Sequence, residues 1–350
     1  LLLARAESES HNQDKARELL GKISRDPSLK TAVELESART FIRERKWSNA
    51  ITHYKAWLEM NKNASLAQQA KITFDLGWLH HLNNDFTKAE EVCLSVVSKY
   101  PDAPEAARAH MWIADRSFSG NNPNYVKAEE EYQKVRDIKK CPILLRYRAS
   151  LMAGRSAMAR GSFDNAREYF EKINNADECP KQIKAEAAFA LSDAVILNPA
   201  KDEFNSKFNH AINILESHLK PDGKPLSHVA LQAYARIGDC HLQMAAKDPN
   251  RYLKAREAYG RVINISSQMG DDPPVRYRAM IGMALSLKNA PEEDSRMRTE
   301  NLIQALGWAK KVFEGATATG TTLDPFWARE SGLISAELQS LAGKPREAIA

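Results

Sequence analysis

The chain has 350 residues, 43% hydrophobic and 27% charged, with 15 glycines and 15 prolines. That balance excludes a disordered tail and argues against a β-rich or linker-rich chain, and no run nears the ~18 apolar residues of a membrane span. The 50 basic and 45 acidic residues leave a net charge of +5, with the two signs interleaved as on solvated helices, so nucleic acid is not an expected partner.

The chain opens Leu1-Leu2-Leu3-Ala4-Arg5-Ala6, which reads as the end of a helix rather than the tail of a signal peptide, because Ala4 stands in register with small residues further along the chain. From there one phrase recurs: an aromatic, two residues, an alanine, three residues, a large apolar residue. Ala16 with Leu20 is a weak first copy. Trp47, Ala50 and Tyr54 form the second; Phe86, Ala89 and Cys93 the third; Tyr125, Ala128 and Tyr132 the fourth; Phe163, Ala166 and Phe170 the fifth. Phe208, Ala211 and Leu215 come next, then Tyr252, Ala255 and Tyr259, then a weaker copy at Ala305 and one begun at Ala348. The alanines are 34, 39, 39, 38, 45, 44, 50 and 43 residues apart, and the longer steps imply longer loops or helices.

A small residue also stands twelve positions before an alanine at Ala4, Ala38, Gly77 and Gly154, while Ala114 and Gly238 take the same place with two and five extra loop residues. Two helices that cross closely need a small side chain at the contact, and the residue one turn on packs beside it. In the eighth copy Gly282 and Ala284 compete for that place, because Arg276-Tyr277-Arg278-Ala279 aligns with Arg146-Tyr147-Arg148-Ala149. Prolines 101, 142, 180 and 221 come after second helices, where a missing amide hydrogen ends a helix.

The phrase, with its Leu76-Gly77 and Ile237-Gly238 pairs, resembles the tetratricopeptide-repeat family over nearly the whole chain. The resemblance implies an all-α fold, a right-handed α-solenoid of antiparallel helix pairs forming a superhelix. The expected organisation is a single array over 1–350 of about nine repeats, incomplete at both ends, with a hinge at 198–225. The stretch Tyr100-Pro101-Asp102-Ala103-Pro104-Glu105-Ala106 looks like the longer-spaced repeats of bacterial cell-envelope members, such as the Tol-Pal accessory and outer-membrane assembly lipoprotein groups. A periplasmic or outer-membrane-associated location is therefore expected ahead of a cytoplasmic one, without membrane insertion.

The sequence carries no catalytic motif: no GxxxxGK[ST] loop, strand-linked GxGxxG, HExxH or GxSxG. No catalytic residue, metal or cofactor is expected. His80-His81 is the one histidine pair, and adjacent helical residues point to different faces, so they cannot chelate one ion together. Cys93, Cys141, Cys179 and Cys240 form no CxxC pair and read as buried thiols. Glu129-Glu130-Glu131 and Glu292-Glu293-Asp294 read as solvated helix surface.

In the family, the first helices of successive repeats line a concave groove. Counting from the small residues, the inward positions are Phe74, Trp78 and His81; Met111, Asp115 and Phe118; Leu151, Arg155 and Met158; Ala235, Asp239 and Leu242. Positions six before give Arg108 and Arg148. The site so expected comprises Phe74, Trp78, His81, Arg108, Met111, Asp115, Phe118, Arg148, Arg155 and Asp239, an apolar groove with sparse charges of both signs that suits an extended or helical peptide, with Phe74 and Trp78 as anchors. The competing reading is that these side chains are used up in packing against the next repeat. The carboxylate clamp of the co-chaperone members is missing, since its places hold Phe74 with Trp78 and Leu151 with Arg155, so chaperone C-termini are not expected ligands. The expected function is a non-catalytic protein–protein interaction scaffold. The alternatives are a structural spacer in a cell-envelope assembly, or the repeat region of a larger enzyme or regulator.

Overall fold

The computed structural model describes residues 1–198, 204–217, 219, 228–269, 273–318 and 324–343. Among these the secondary structure is helical: α1 (Leu2–Glu9), α2 (Gln13–Ile23), α3 (Lys30–Arg43), α4 (Trp47–Met60), α5 (Leu66–Leu82), α6 (Phe86–Lys99), α7 (Pro104–Ser119), α8 (Tyr125–Asp137), α9 (Ile143–Ala159), α10 (Phe163–Asn175), α11 (Lys181–Leu197), α12 (Phe204–Ser217), α13 (His228–Ala245), α14 (Asn250–Met269), α15 (Pro273–Asn289), α16 (Ser295–Thr317) and α17 (Pro325–Leu341). No described helix is long and apolar enough to cross a membrane. The chain divides into two compact units, 1–183 and 184–350. Of the expected hinge at 198–225, residues 199–203, 218 and 220–225 lie outside the described residues, and 204–217 form α12. The last phrase, begun at Ala348, also lies outside them.

The aromatic of the repeating phrase opens the second helix of its pair: Trp47, Phe86, Tyr125 and Phe163 are the first residues of α4, α6, α8 and α10. Asp85 and Asn124 sit just before, accepting hydrogen bonds from the backbone N–H of Lys88 (3.3 Å) and Lys127 (3.0 Å), which satisfies donors that a helix start leaves open. In three of the tight turns, Arg45, Asn84 and Gly161 stand two residues before the aromatic with φ of 58°, 59° and 79°. Only the last carries the residue that adopts this left-handed conformation without a Cβ clash. Turns this short force the two helices of a pair to run antiparallel.

The alanines at 16, 50, 89, 128, 166, 211, 255 and 305 are fully buried, as are the large residues four places on, from Leu20 to Tyr259. Each such residue contributes about 1.5–3 kcal/mol by leaving water. In unit 1 the helices pack pairwise, α3 on α4, α5 on α6, α7 on α8 and α9 on α10, and each pair meets the next through α4–α5, α6–α7 and α8–α9. In unit 2, α12 through α16 each pack on their successor. The longer steps there arise in part from longer second helices, 20 residues in α14 and 23 in α16.

The ambiguity between Gly282 and Ala284 resolves in favour of the alanine. Ala284 packs with Ala305 and Ala309 of its own pair. Gly282 is small for another reason: a Cβ there would run into the ring of Tyr259 from the preceding pair, and a Cβ on Gly238 would meet the same ring. The four cysteines are buried and none is in a disulfide among the described residues. Burial pushes the thiols of Cys93 and Cys240 up to about 12, so they act as small apolar side chains.

Candidate partner-binding face

In unit 1 the first helices touch one another, α5 with α7 and α7 with α9, while α6, α8 and α10 make no comparable mutual contact. The closer-set layer is the inner one, so α5, α7 and α9 present one inner face. Nine of the ten expected site residues stand on these three helices, and Asp239 stands on α13 in unit 2.

Trp78 is 45% exposed, an unusual degree for the largest aromatic. It is not loose. Its ring stacks on His81 at 4.8 Å with 29° between planes, and His81 in turn meets Phe86 at 5.5 Å and Trp112 edge-on at 5.9 Å. Arg116 lies over the Phe86 ring at 4.3 Å. Burial, and secondarily Arg116, lowers the His81 pKa, so the imidazole under Trp78 is neutral at neutral pH. His80, its neighbour, faces the helix seam: it is buried, with Nδ1 3.6 Å from Asp85.

Phe74 is half-buried against Ala89, Cys93, Ala109 and Trp112. Met111 and Phe118 are half-buried against the cluster around Ala114 and Tyr132, and Phe118 makes an edge contact with Tyr125 at 5.5 Å. Part of the expected groove is therefore used in packing, as the competing reading held, and part is not. Leu151 and Ala235, expected to face inward, are fully buried and offer no surface. Ala235 packs with Tyr259 of α14 and Ala279 of α15, so the count from the small residue alone over-assigns the face. Arg108 and Arg148 are exposed, and Arg155 is half-buried with Nη1 3.7 Å from Met152 Sδ.

Asp115 belongs to an arrangement that recurs. Tyr132 Oη donates to Asp115 Oδ1 at 2.7 Å, and Tyr259 Oη donates to Asp239 Oδ1 at 2.6 Å. In each case a carboxylate one residue past the small position is held from behind by the tyrosine four past the phrase alanine. Burial raises both carboxyl pKa values; the tyrosine hydroxyl, with Arg148 at Asp115 and Arg278 at Asp239, pulls back the other way. In unit 2 this becomes a ladder, with Arg278 ion-paired to Asp239 and Arg236 to Asp193. These four groups line a cavity of about 560 Å³ with Ile196, Leu242 and Leu285. The tyrosines, Arg236, Arg278 and Asp193 were absent from the expected site. Arg278 was within reach, since the aligned Arg-Tyr-Arg-Ala segments put it in the place of Arg148.

Lys71 also belongs to this face, although the count from the small residues did not name it. It stands six before Gly77, the place that Arg108 and Arg148 hold before Ala114 and Gly154, and it is exposed. The face thus offers a ring stack, a row of cations and hydrogen-bonded carboxylates, groups suited to holding a polypeptide.

Residues 35–104, from α3 to the start of α7, match the tetratricopeptide repeat family model. No curated protein matches the chain. Among solved structures it is similar to a tetratricopeptide repeat protein from Parabacteroides merdae, at 13% identity and a TM-score of 0.42 over 90% of this chain and 98% of that one. It is similar to the apo form of the quorum sensor NprR from B. thuringiensis, at 12% identity and 0.48 over 99% and 92%. A Rap protein complexed with Competence and Sporulation Factor aligns at 14% identity and 0.36, over 99% and 97%.

Proposed function

We propose that this chain, which carries tetratricopeptide repeats, is a non-catalytic scaffold that holds a protein partner against the inner face of unit 1. The observation that carries the reading is Trp78, an indole nearly half exposed yet fixed on the His81–Phe86–Trp112 stack. A rigid exposed aromatic loses little entropy on contact, and such residues carry a large share of interface energy. Phe74 supports the stack more than it offers surface, so Trp78 is the cleaner probe.

Replacing Trp78 by alanine is expected to leave the helical circular dichroism signal and thermal midpoint nearly unchanged, while weakening partner capture by about tenfold or more. The double change Phe74→Ala and Trp78→Ala is expected to abolish capture, at a cost in stability that comes from Phe74. A spacer role predicts the reverse pattern, with assembly intact in both variants and broken by truncation at either end. Full capture by a folded Trp78→Ala variant sinks the assignment to this face.

A further inference from the structure

The charges on the inner face of unit 1 indicate what kind of segment it prefers. Lys71, Arg108 and Arg148 occupy one register position on α5, α7 and α9, and all three are exposed. None makes a hydrogen bond, ion-pair contact or ring contact among the described residues, although Lys71 and Arg108 act at longer range on Asp75 and Arg148 on Asp115. Several other cations of the fold are tied down. Arg5 is tied to Glu36, Arg17 to Glu44, Arg160 to Glu129 and Arg236 to Asp193. The contrast is sharpest with Arg278, which stands in the same register place in unit 2 and is ion-paired to Asp239. In unit 1 the corresponding Asp115 takes the same hydrogen bond from its tyrosine, Tyr132, and Arg148 acts on it without an ion-pair contact.

Packed helices are about 8–10 Å apart, so the helices that carry the three cations are set at roughly that spacing. An extended chain in the polyproline II conformation brings every third side chain to the same side, about 9 Å apart at about 3.1 Å per residue. The two spacings are of the same order, and long flexible side chains can take up the difference. We propose that the inner face of unit 1 binds an extended acidic protein segment, with carboxylates at every third residue on Lys71, Arg108 and Arg148 and an apolar side chain on Trp78. This rests on the reading of that face as the binding surface. Asp75 and Asp115 lie on the same three helices as the cations. A continuous phosphate backbone would be forced to pass over those carboxylates, whereas separated acidic residues need not.

The test uses the full chain and fluorescein-labelled probes read by anisotropy: a 12-residue peptide of four Glu-Pro-Leu units, its Lys-Pro-Leu counterpart and a 12-nucleotide oligouridylate. The acidic peptide is expected to bind, more weakly as salt rises, and the basic peptide is not. The triple variant Lys71→Gln, Arg108→Gln, Arg148→Gln is expected to weaken the acidic peptide about tenfold, since exposed ion pairs are individually modest. Circular dichroism checks that the variant is folded, which its exposed positions favour. Equal binding of the two peptides, tighter binding of the oligouridylate, no binding of the acidic peptide or an unaffected triple variant each overturns the proposal. If Trp78→Ala weakens the peptide while the triple variant does not, the face stands and its acidic preference falls. If neither variant matters, both fall.

Discussion

Glu129, Glu130 and Glu131 read in sequence as a solvated run, and the middle residue is indeed exposed. Its two neighbours are buried. Glu129 accepts from Arg160 Nε at 2.7 Å and from Tyr169 Oη at 3.2 Å; Glu131 pairs with His110 Nδ1 at 2.6 Å and Lys134 Nζ at 2.7 Å. They flank Ala128 and Tyr132 on the packed side of α8, and their counter-charges come largely from neighbouring helices. A run of three acids does not show which of them a neighbour will cover. Burial alone would raise Glu131, but the hydrogen bonds from His110 and Lys134 outweigh it and hold the carboxyl down from 4.5 to about 2. A depressed carboxylate stabilises the fold above its unfolded pKa and loses that contribution as pH falls through the folded one. The Glu131 contribution is therefore full above about pH 4.5 and gone near pH 2. Glu131→Gln is expected to cost about 3 kcal/mol at pH 7, with the penalty shrinking through that window. Urea midpoints of both proteins across pH 2 to 7 check it, and a penalty that does not change with pH would exclude the pairing as its source.

At the scale of the helix pair, most of the fold was legible. The alanines and the residues four on mark the contacts because only small side chains fit where helices cross, and that requirement is written in residue type. Gly282 shows where legibility stopped. Its smallness answers Tyr259, a residue of the preceding pair, so no count within its own repeat explains it. Gly282→Ala is expected to destabilise by about 1–3 kcal/mol, because Tyr259 is fully buried and its ring has little room to yield. Gly307, on α16 with nothing within 4 Å of a Cβ, serves as the control. Gly307→Ala is expected to stabilise by up to about 1 kcal/mol through helix propensity. Thermal midpoints of the two variants should move in opposite directions; a shared direction would mean that backbone propensity, rather than the tyrosine contact, governs Gly282.

At the scale of the molecule, a net charge of +5 conceals a sorting that composition does not reveal. Cations and acids alternate along the chain, which suggests even solvation, yet unit 1 returns to the same face once per repeat. Lys71, Arg108 and Arg148 are 37 and 40 residues apart in sequence and so become neighbours on three adjacent first helices. The candidate face was half legible for the same reason. The register from the small residues located Trp78, Arg108 and Arg148, but exposure depends on the adjacent helix, so it could not separate open Trp78 from covered Leu151. The tyrosine clasps behind Asp115 and Asp239 join two helices of one pair, a relation visible only once the two counts are laid together.

A photo-reactive amino acid placed at single positions tests most directly whether a protein partner lies on the inner face of unit 1. Position 78 reports the inner face; position 94 on α6, where Leu94 is exposed, reports a second helix. Illumination in the cells that make the protein is expected to give one discrete protein adduct from position 78, diminished by Arg108→Gln with Arg148→Gln, and none of the same mass from position 94. The same adduct from position 94 with none from position 78 would contradict the account.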